Sequence, residues 1–355
     1  MDTLTQAALG AAIGGTVLGR RLGRKAVLIG AGLGTLPDLD VLIDYGDAVA
    51  NVTRHRGFSH SLFLLSGLAM ILAWLARRLH PARDISLGRW GAFFGLCLLT
   101  HPLLDALTTY GTQLWWPLGG RPTAWPLVFI IDPLYSLPLL VGIATALATG
   151  NGRRGPAWGL GLSCAYLVLA LGARTLVIER LEPALADRNL VEAPRLVQPT
   201  PFNILLWRAT IVEGDRYHEA LIGVFDGDHP PSLETYRRGA DWETIARASD
   251  RGRRLDWFAG PFLRYEVEPR DGRPTLVATD LRLGFPGFHP FRYGLATRRG
   301  DGWEPLAPTE QIDGARRDSG AALARLGRRF LSPEPMLCTS HWLPRGWLIQ
   351  APPTC

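Results

Sequence analysis

Residues 90–109 read WGAFFGLCLLTHPLLDALTT, and this stretch decides the fold. Its length matches the ~20 predominantly apolar residues that a helix needs to cross the hydrocarbon core of a bilayer. Within it stand a histidine and an aspartate, His101 and Asp105. Four positions apart, they share one face of a helix and can approach one ion together. An ionisable group at such depth costs about 2.5–3.5 kcal/mol even on lenient insertion scales, so it marks function by default.

The flanking sequence repeats the pattern. Ile131–Gly150 and Ala157–Ile178 also reach spanning length, Ser61–Ala76 falls slightly short, and Leu4–Gly19 and Ala26–Leu36 are shorter still. The first run is preceded by Asp2 and followed by Arg20, Arg21, Arg24 and Lys25, the reverse of a signal peptide. Gly10/Gly14 and Gly15/Gly19 have the small-xxx-small spacing that lets membrane helices approach closely. Across 355 residues, 47% are hydrophobic and only 20% charged. That composition excludes disorder, and with four cysteines it excludes a disulfide-dense miniprotein. The apolar excess lies in the first half, which excludes a wholly soluble domain.

The net charge is +6, with Lys25 the sole lysine among 38 basic residues. Membrane proteins collect such residues in cytoplasmic loops. Three clusters, at Arg20–Lys25, Arg77–Arg89 and Arg153–Arg154, are satisfied by one path with all three inside. This gives an α-helical membrane bundle over residues 1–180, of about five membrane segments with the first two short. Residues 37–60, 110–130 and 181–355 then lie outside, across the membrane from the cytoplasm. With basicity explained by orientation, and no aromatic–basic platform, nucleic acid is not an expected partner; the lipid bilayer is.

From about Leu181 the sequence alternates in short runs. Ile204–Val212, Glu219–Phe225, Phe262–Val267 and Thr275–Leu283 read as strands, with Asp271-Gly272 as a hairpin turn. Ser232–Ala248 and Thr309–Phe330 read as helical. A small soluble α+β domain with an antiparallel sheet is expected over 181–355. Asp226-Gly227-Asp228-His229 reads as a solvated hairpin tip rather than a metal site. A Cys338–Cys355 disulfide fits an extracytoplasmic domain, with two free thiols as the alternative.

Seven ionisable residues fall in or beside the apolar segments: Asp38 and Asp40 in LPDLD, His55 and His60 in HRGFSHS, His101 and Asp105, and Asp132 in IIDPLYS. At a helical rise of ~1.5 Å per residue, they lie roughly 17–30 Å above the basic clusters, in one outer layer. Pro37 ends a segment inside that layer, and backbone broken at such depth must line a cavity or be buried in protein. Each residue also has a structural reading: Asp38 ends a helix, His55 sits in a loop, and Asp132 caps the helix begun by Pro133. Imidazole with carboxylate suits zinc, and also manganese or iron, better than magnesium or calcium. Asp38, His60, His101 and Asp105 are the expected metal ligands. His55 and Asp40 are the expected catalytic pair, as general base, partner to a ligand, or further ligand.

MDTLTQAALGAAIG, LPDLD, HRGFSHS, HPLLDALTTYG and PTPFNILLWR together resemble the bacterial YdjM-like family. Its members are described as inner-membrane, metal-dependent hydrolases, and some carry LexA-linked regulation in the family name. The resemblance implies that His55, His60, His101 and Asp105 belong to a hydrolase-like core, completed or buttressed by Asp38 and Asp40. Many relatives have histidine where this chain has Gln6, so Gln6 is not expected to be a strong ligand.

The expected activity is therefore metal-dependent hydrolysis of an ester or phosphoester in a lipid-like or amphiphilic substrate, at the outer face of the membrane. The alternatives are a non-catalytic membrane protein whose His/Asp cluster fixes helix packing, and an ion transporter. Arg54 and Arg56 flank His55 and read either as a phosphate-attracting pair or as lipid head-group anchors. A serine nucleophile is disfavoured, since no G-x-S-x-G elbow accompanies Ser59 or Ser61.

Overall fold

The apolar runs of the first half fold as helices whose ends are set by caps, prolines and glycines. A computed structural model describes residues 1–80, 84–150, 153–227, 229–313, 319–332, 334, 336–352 and 355. The helices begin with α1 (Thr3–Leu22), capped by Asp2 accepting from Thr5 N at 3.0 Å, and α2 (Arg24–Thr35). A 3-10 turn, Pro37–Leu42, follows, then α3 (Ala48–Arg54) and a second 3-10 turn, Phe58–His60. Next come α4 (Leu62–Leu79), capped by Ser61, α5 (Leu87–Ala106), capped by Ser86, α6 (Pro133–Thr149) and α7 (Arg154–Ala186).

Two units divide the chain. The first is Met1–Ile43, His55–Leu171 and Pro201–Asn203, and the second is Asp44–Arg54, Gly172–Thr200 and Ile204–Cys355. In the first unit α1 and α2 form a tight hairpin. A methyl group on Gly10 would strike the Gly30 carbonyl, and one on Gly34 would strike the Gln6 carbonyl. Small residues on both helices therefore let the backbones touch. Against this pair stand α5 and α6, and α4 lies along α5.

Among the described residues two helices, α4 and α7, are long and apolar enough to cross a membrane, and α6 is apolar but has 17 residues. This corrects the expectation of about five membrane segments. α2 has only 12 residues, and α5 interrupts its apolar run with Arg89, His101, Pro102 and Asp105. α1 reaches 20 residues largely with Gly, Ala and Thr, and most of it is buried.

The second unit is built on two antiparallel sheets. β1 (Arg195–Pro199), β2 (Leu206–Glu213), β3 (Arg216–Gly223) and β4 (Glu234–Arg237) lie in that order in one. Then come α8 (Glu243–Ala246) and α9 (Asp250–Ala259). The other sheet follows as a meander of β5 (Leu263–Arg270), β6 (Arg273–Asp280), β7 (Arg292–Arg299) and β8 (Gly302–Gln311). After α10 (Ser319–Arg329), β9 (Leu348–Gln350) joins β4 at the edge of the first sheet. Asp271 and Gly272 turn the β5–β6 hairpin with φ of +47° and +75°, the pair of positive values that a two-residue type I′ turn needs.

Expected helix and observed strand differ at Ser232–Ala248. Here β4 pairs in register with β3, Tyr217 opposite Tyr236, and only a 3-10 turn and the one-turn α8 follow. The cross-strand Tyr pair, with ring centroids 5.1 Å apart, outweighs the weak helical pattern. Thr309–Phe330 likewise begins inside β8, and helix starts only at Ser319. Asp228 lies outside the described residues, but Asp226 is buried and accepts from both Nη1 and Nη2 of Arg329 at 2.6 Å, so it is no solvated hairpin tip. Cys338 and Cys355 form a disulfide, while Cys97 and Cys164 are free.

One stretch of the first half serves the second unit. Val49 on α3 is fully buried in a core with Leu255, Leu263, Leu276 and Tyr265. Asp47 just before it accepts from Arg251 Nε at 2.6 Å and from Thr309 N at 2.8 Å.

Candidate metal centre

Pro37 has no backbone N–H, so α2 cannot continue as regular helix, and the chain tightens into the 3-10 turn that carries Asp38 and Asp40. The second 3-10 turn delivers Ser59 and His60 immediately before Ser61 caps α4. His101 and Asp105 lie one helical turn apart near the end of α5. Three separate segments of the first unit thus meet at one point.

The meeting atoms are His60 Nε2, His101 Nε2, Asp38 Oδ1 and Asp105 Oδ2. The two imidazole nitrogens are 3.1 Å apart. From Asp105 Oδ2 they stand at 3.2 and 3.6 Å, and from Asp38 Oδ1 at 3.5 and 3.3 Å. His60, His101 and Asp105 are buried, while Asp38 keeps 14% of its side chain exposed.

Hydrogen bonds behind the imidazoles fix which nitrogen faces the centre. His101 Nδ1 donates to the Gly34 carbonyl at 2.6 Å. Ser59 Oγ donates to Asp40 Oδ2 at 2.6 Å, so it accepts from His60 Nδ1 at 2.9 Å. When both rings are neutral, their Nε2 atoms present lone pairs inward, towards two carboxylate oxygens, and Asp105 Oδ2 has no hydrogen-bond partner among the described residues, with Arg56 Nε 3.1 Å away. Acceptor atoms packed this closely repel one another unless a proton or a metal cation lies among them, and the charges of Arg56 and the Met1 amino group act on Asp105 from one side only. A shared proton satisfies one nitrogen at a time; a divalent ion satisfies all four atoms together. Tetrahedral ligands at the ~2.0–2.1 Å of zinc–nitrogen bonds stand about 3.3–3.4 Å apart, in the middle of the observed spread. The donor set fits a divalent ion.

Asp40 and His55 lie beside this cluster rather than in it. Asp40 Oδ1 is 2.8 Å from His55 Nδ1, and its Oδ2 also accepts from Arg56 N at 2.9 Å. Burial alone would push the Asp40 carboxyl up, but the bonds from His55 and Ser59 outweigh it and hold it below the usual carboxylate range. Asp132 stands apart: it caps α6 at Leu134 N and Tyr135 N and accepts from the Tyr166 hydroxyl at 3.0 Å.

Three neighbours were not legible as partners. Gln6 is fully buried and donates Nε2 to Asp105 Oδ1 at 2.9 Å and to the His101 carbonyl at 3.1 Å. The Met1 amino group also donates to Asp105 Oδ1. Arg56, far from being a surface anchor, is 3% exposed and lies with Nε 3.1 Å from Asp105 Oδ2. Arg54 remains exposed, stacked on Tyr45.

The family model described as YdjM inner membrane protein matches residues 1–177. Residues 1–177 belong to the YdjM inner membrane protein family. All the site residues described above lie within this YdjM segment. Two relatives are similar to the chain. One is the uncharacterized protein YfhP of Bacillus subtilis (strain 168), 24% identical over 304 residues, which are 82% of this chain and 89% of the relative. The other is the inner membrane protein YbcI of Escherichia coli (strain K12), 39% identical over 105 residues. That match covers 28% of this chain and 59% of YbcI. No solved structure matches the chain.

Proposed function

We propose that the YdjM segment is a membrane-embedded, metal-dependent hydrolase. It would cleave an ester or phosphoester of a lipid-like substrate at the outer face of the cytoplasmic membrane, with residues 181–355 extracytoplasmic. The observation that carries this reading is the convergence of four buried or half-buried acceptor atoms, 3.1–3.6 Å apart along the five measured edges.

Asp38, His60, His101 and Asp105 would hold the ion. Zinc suits them best, and manganese or iron also accept such a set. A divalent ion bound there supplies a Lewis acid and brings the ionisation of water towards pH ~7. The chain's own groups do the rest. Asp40 holds His55 by Nδ1, leaving its Nε2 to take and return a proton as general base. Through Ser59, Asp40 also steadies His60, as carboxylates behind metal-binding imidazoles commonly do.

The test is metal content by mass spectrometry on detergent-purified protein, beside His101→Ala and Asp105→Ala with matched thermal unfolding. Zinc or manganese bound to the wild type and lost from folded variants is the expected result, followed by metal-dependent cleavage of a lipid phosphoester. Protein that binds neither ion when offered both would overturn the reading.

Four protein ligands also complete a tetrahedron, the number that structural zinc sites use. This favours a second reading in which the ion only fixes the helices. Asp38, the one ligand with solvent access, separates the two. On the catalytic reading Asp38→Ala keeps the ion and alters turnover; on the structural reading no turnover exists and the variant only loses stability.

A further inference from the structure

Arg56 has a conformation that the reading so far does not explain. Its φ is +59°, a left-handed backbone that costs a non-glycine residue about 1–3 kcal/mol and persists only where its surroundings impose it. The surroundings do so here: Arg56 N donates to Asp40 Oδ2 at 2.9 Å, and its carbonyl accepts from Gln113 N at 3.0 Å. The result is a guanidinium buried beside the acceptor cluster, its carbon 4.9 Å from the Tyr110 ring centre and its Nη1 3.4 Å from Thr108 Oγ1.

Arginine commonly meets a carboxylate through a parallel two-bond fork, but Asp105 Oδ1 is already taken by Gln6 Nε2 and the Met1 amino group. Arg56 makes no such fork. Its Nε stands 3.1 Å from Asp105 Oδ2, yet neither atom has a hydrogen-bond partner. On the metal-dependent reading, Asp105 Oδ2 is taken by the ion. Arg56 then remains as a buried cation with donor capacity to spare, at the rim of the ligand set. An anionic oxygen is the complement of such a group; a phosphoester carries one from the moment it binds, whereas a carboxylic ester develops one only on attack.

We propose that Arg56 binds a phosphoryl oxygen of the substrate, making a phosphoester rather than a carboxylic ester the substrate class. This rests on the metal-dependent reading above. Planar guanidinium matches phosphate geometry, which a lysine ammonium does not reproduce.

The experiment titrates inorganic phosphate into full-length, detergent-purified protein loaded with zinc, after zinc per chain has been measured. Wild type, Arg56→Gln and Arg56→Lys are compared, with thermal unfolding as the check on folding. At equal zinc content, Arg56→Gln is expected to bind phosphate about tenfold more weakly or worse, the loss of one charge-assisted hydrogen bond. If Arg56→Gln does not fold, the weakened phosphate binding is read from Arg56→Lys, which keeps the charge but loses the fork. A diacyl phosphate in the same micelles forms the second arm. Tighter binding than inorganic phosphate, lost with Arg56, assigns the phosphoryl group to a lipid; equal binding assigns it to a soluble ester. Unchanged phosphate affinity in a zinc-loaded variant, or none in the zinc-loaded wild type, overturns the proposal. A wild type that binds no zinc overturns the hydrolase reading and this one together.

Discussion

Both units bury carboxylates, but they complete them differently. In the second unit, Glu219 is fully buried and meets Arg208 in a two-pronged pair, Nε to Oε2 at 2.7 Å and Nη2 to Oε1 at 2.6 Å, with the Thr210 hydroxyl added at 3.1 Å. Glu234 receives Thr339 N, Thr339 Oγ1, Ser340 N and the Tyr236 hydroxyl. All four oxygens of these two carboxylates are met by donors from the protein. In the first unit, four acceptors converge and the hydrogen bonds run outward, from Nδ1 of each histidine to Gly34 and Ser59. Buried polarity that the chain completes itself is architecture; buried polarity left incomplete is a binding site. The two regions should therefore respond differently when one member is deleted.

The largest effect is expected in the architectural case. Arg208→Met leaves Glu219 buried without its cation and should cost about 3–5 kcal/mol. Denaturant unfolding followed through the tryptophans of the second unit measures this. A cost below 1 kcal/mol would erase the distinction between the regions.

The binding-site case comes next, with little effect in chelator. His101→Asn removes the inward Nε2 while its amide can keep the donation to the Gly34 carbonyl, so without metal its melting temperature should stay close to that of the wild type. With zinc at ~100 times its dissociation constant, the wild type alone should gain about 2.7 kcal/mol. A His101→Asn variant that gains as much stability from zinc as the wild type would mean that the cluster is packing rather than a site.

Ser59→Ala sharpens the comparison, because it leaves all four ligands in place and removes only the link from His60 to Asp40. Zinc affinity should fall about tenfold or more, the usual result of losing a partner behind a metal-binding histidine. A competition titration against a chromophoric chelator reads it.

The smallest effect belongs to His289 in the second unit. Burial, reinforced by the charge of Arg208, lowers its pKa to about 3. The unfolded chain takes up this proton near pH ~6.5 and the folded chain does not, so stability is complete above that pH and falls below it. The loss should reach about 1.4 kcal/mol by pH ~5.5, continuing towards the folded value. His289→Gln should flatten that part of the stability profile. An unchanged slope would show that another group carries it.

Reading the sequence locates the four convergent residues because charge in apolar runs is conspicuous and because His101 and Asp105 share a helix face. It could not resolve how Asp40 divides its oxygens among His55, Arg56 and Ser59, since a 3-10 turn leaves no periodic trace. Arg56 was opaque for a similar reason: beside Arg54 it reads as half of a phosphate-attracting or head-group-anchoring pair, and only a backbone angle separates the buried Arg56 from the exposed Arg54. The strand β4 was hidden by length, with four residues too few to show alternation. The membrane count failed because spacing identifies helices better than it identifies their solvent. α1 and α5 are helices, but many of their small and polar residues are buried against protein.

The excursion at Asp44–Arg54 bears on how this gene can be cut. The chain leaves the first unit just after the turn that bears Asp40 and re-enters it at His55, and between them it lends Val49 to the other unit's core. A truncation ending after the family segment would keep every site residue yet strand α3, exposing an apolar face a few residues from the proposed catalytic pair. Replacing 44–54 with a short polar linker that still lets Asp40 reach His55 would be needed to express the first unit as a free-standing module. The two halves are sequential in the gene, but they are not separable at a single codon.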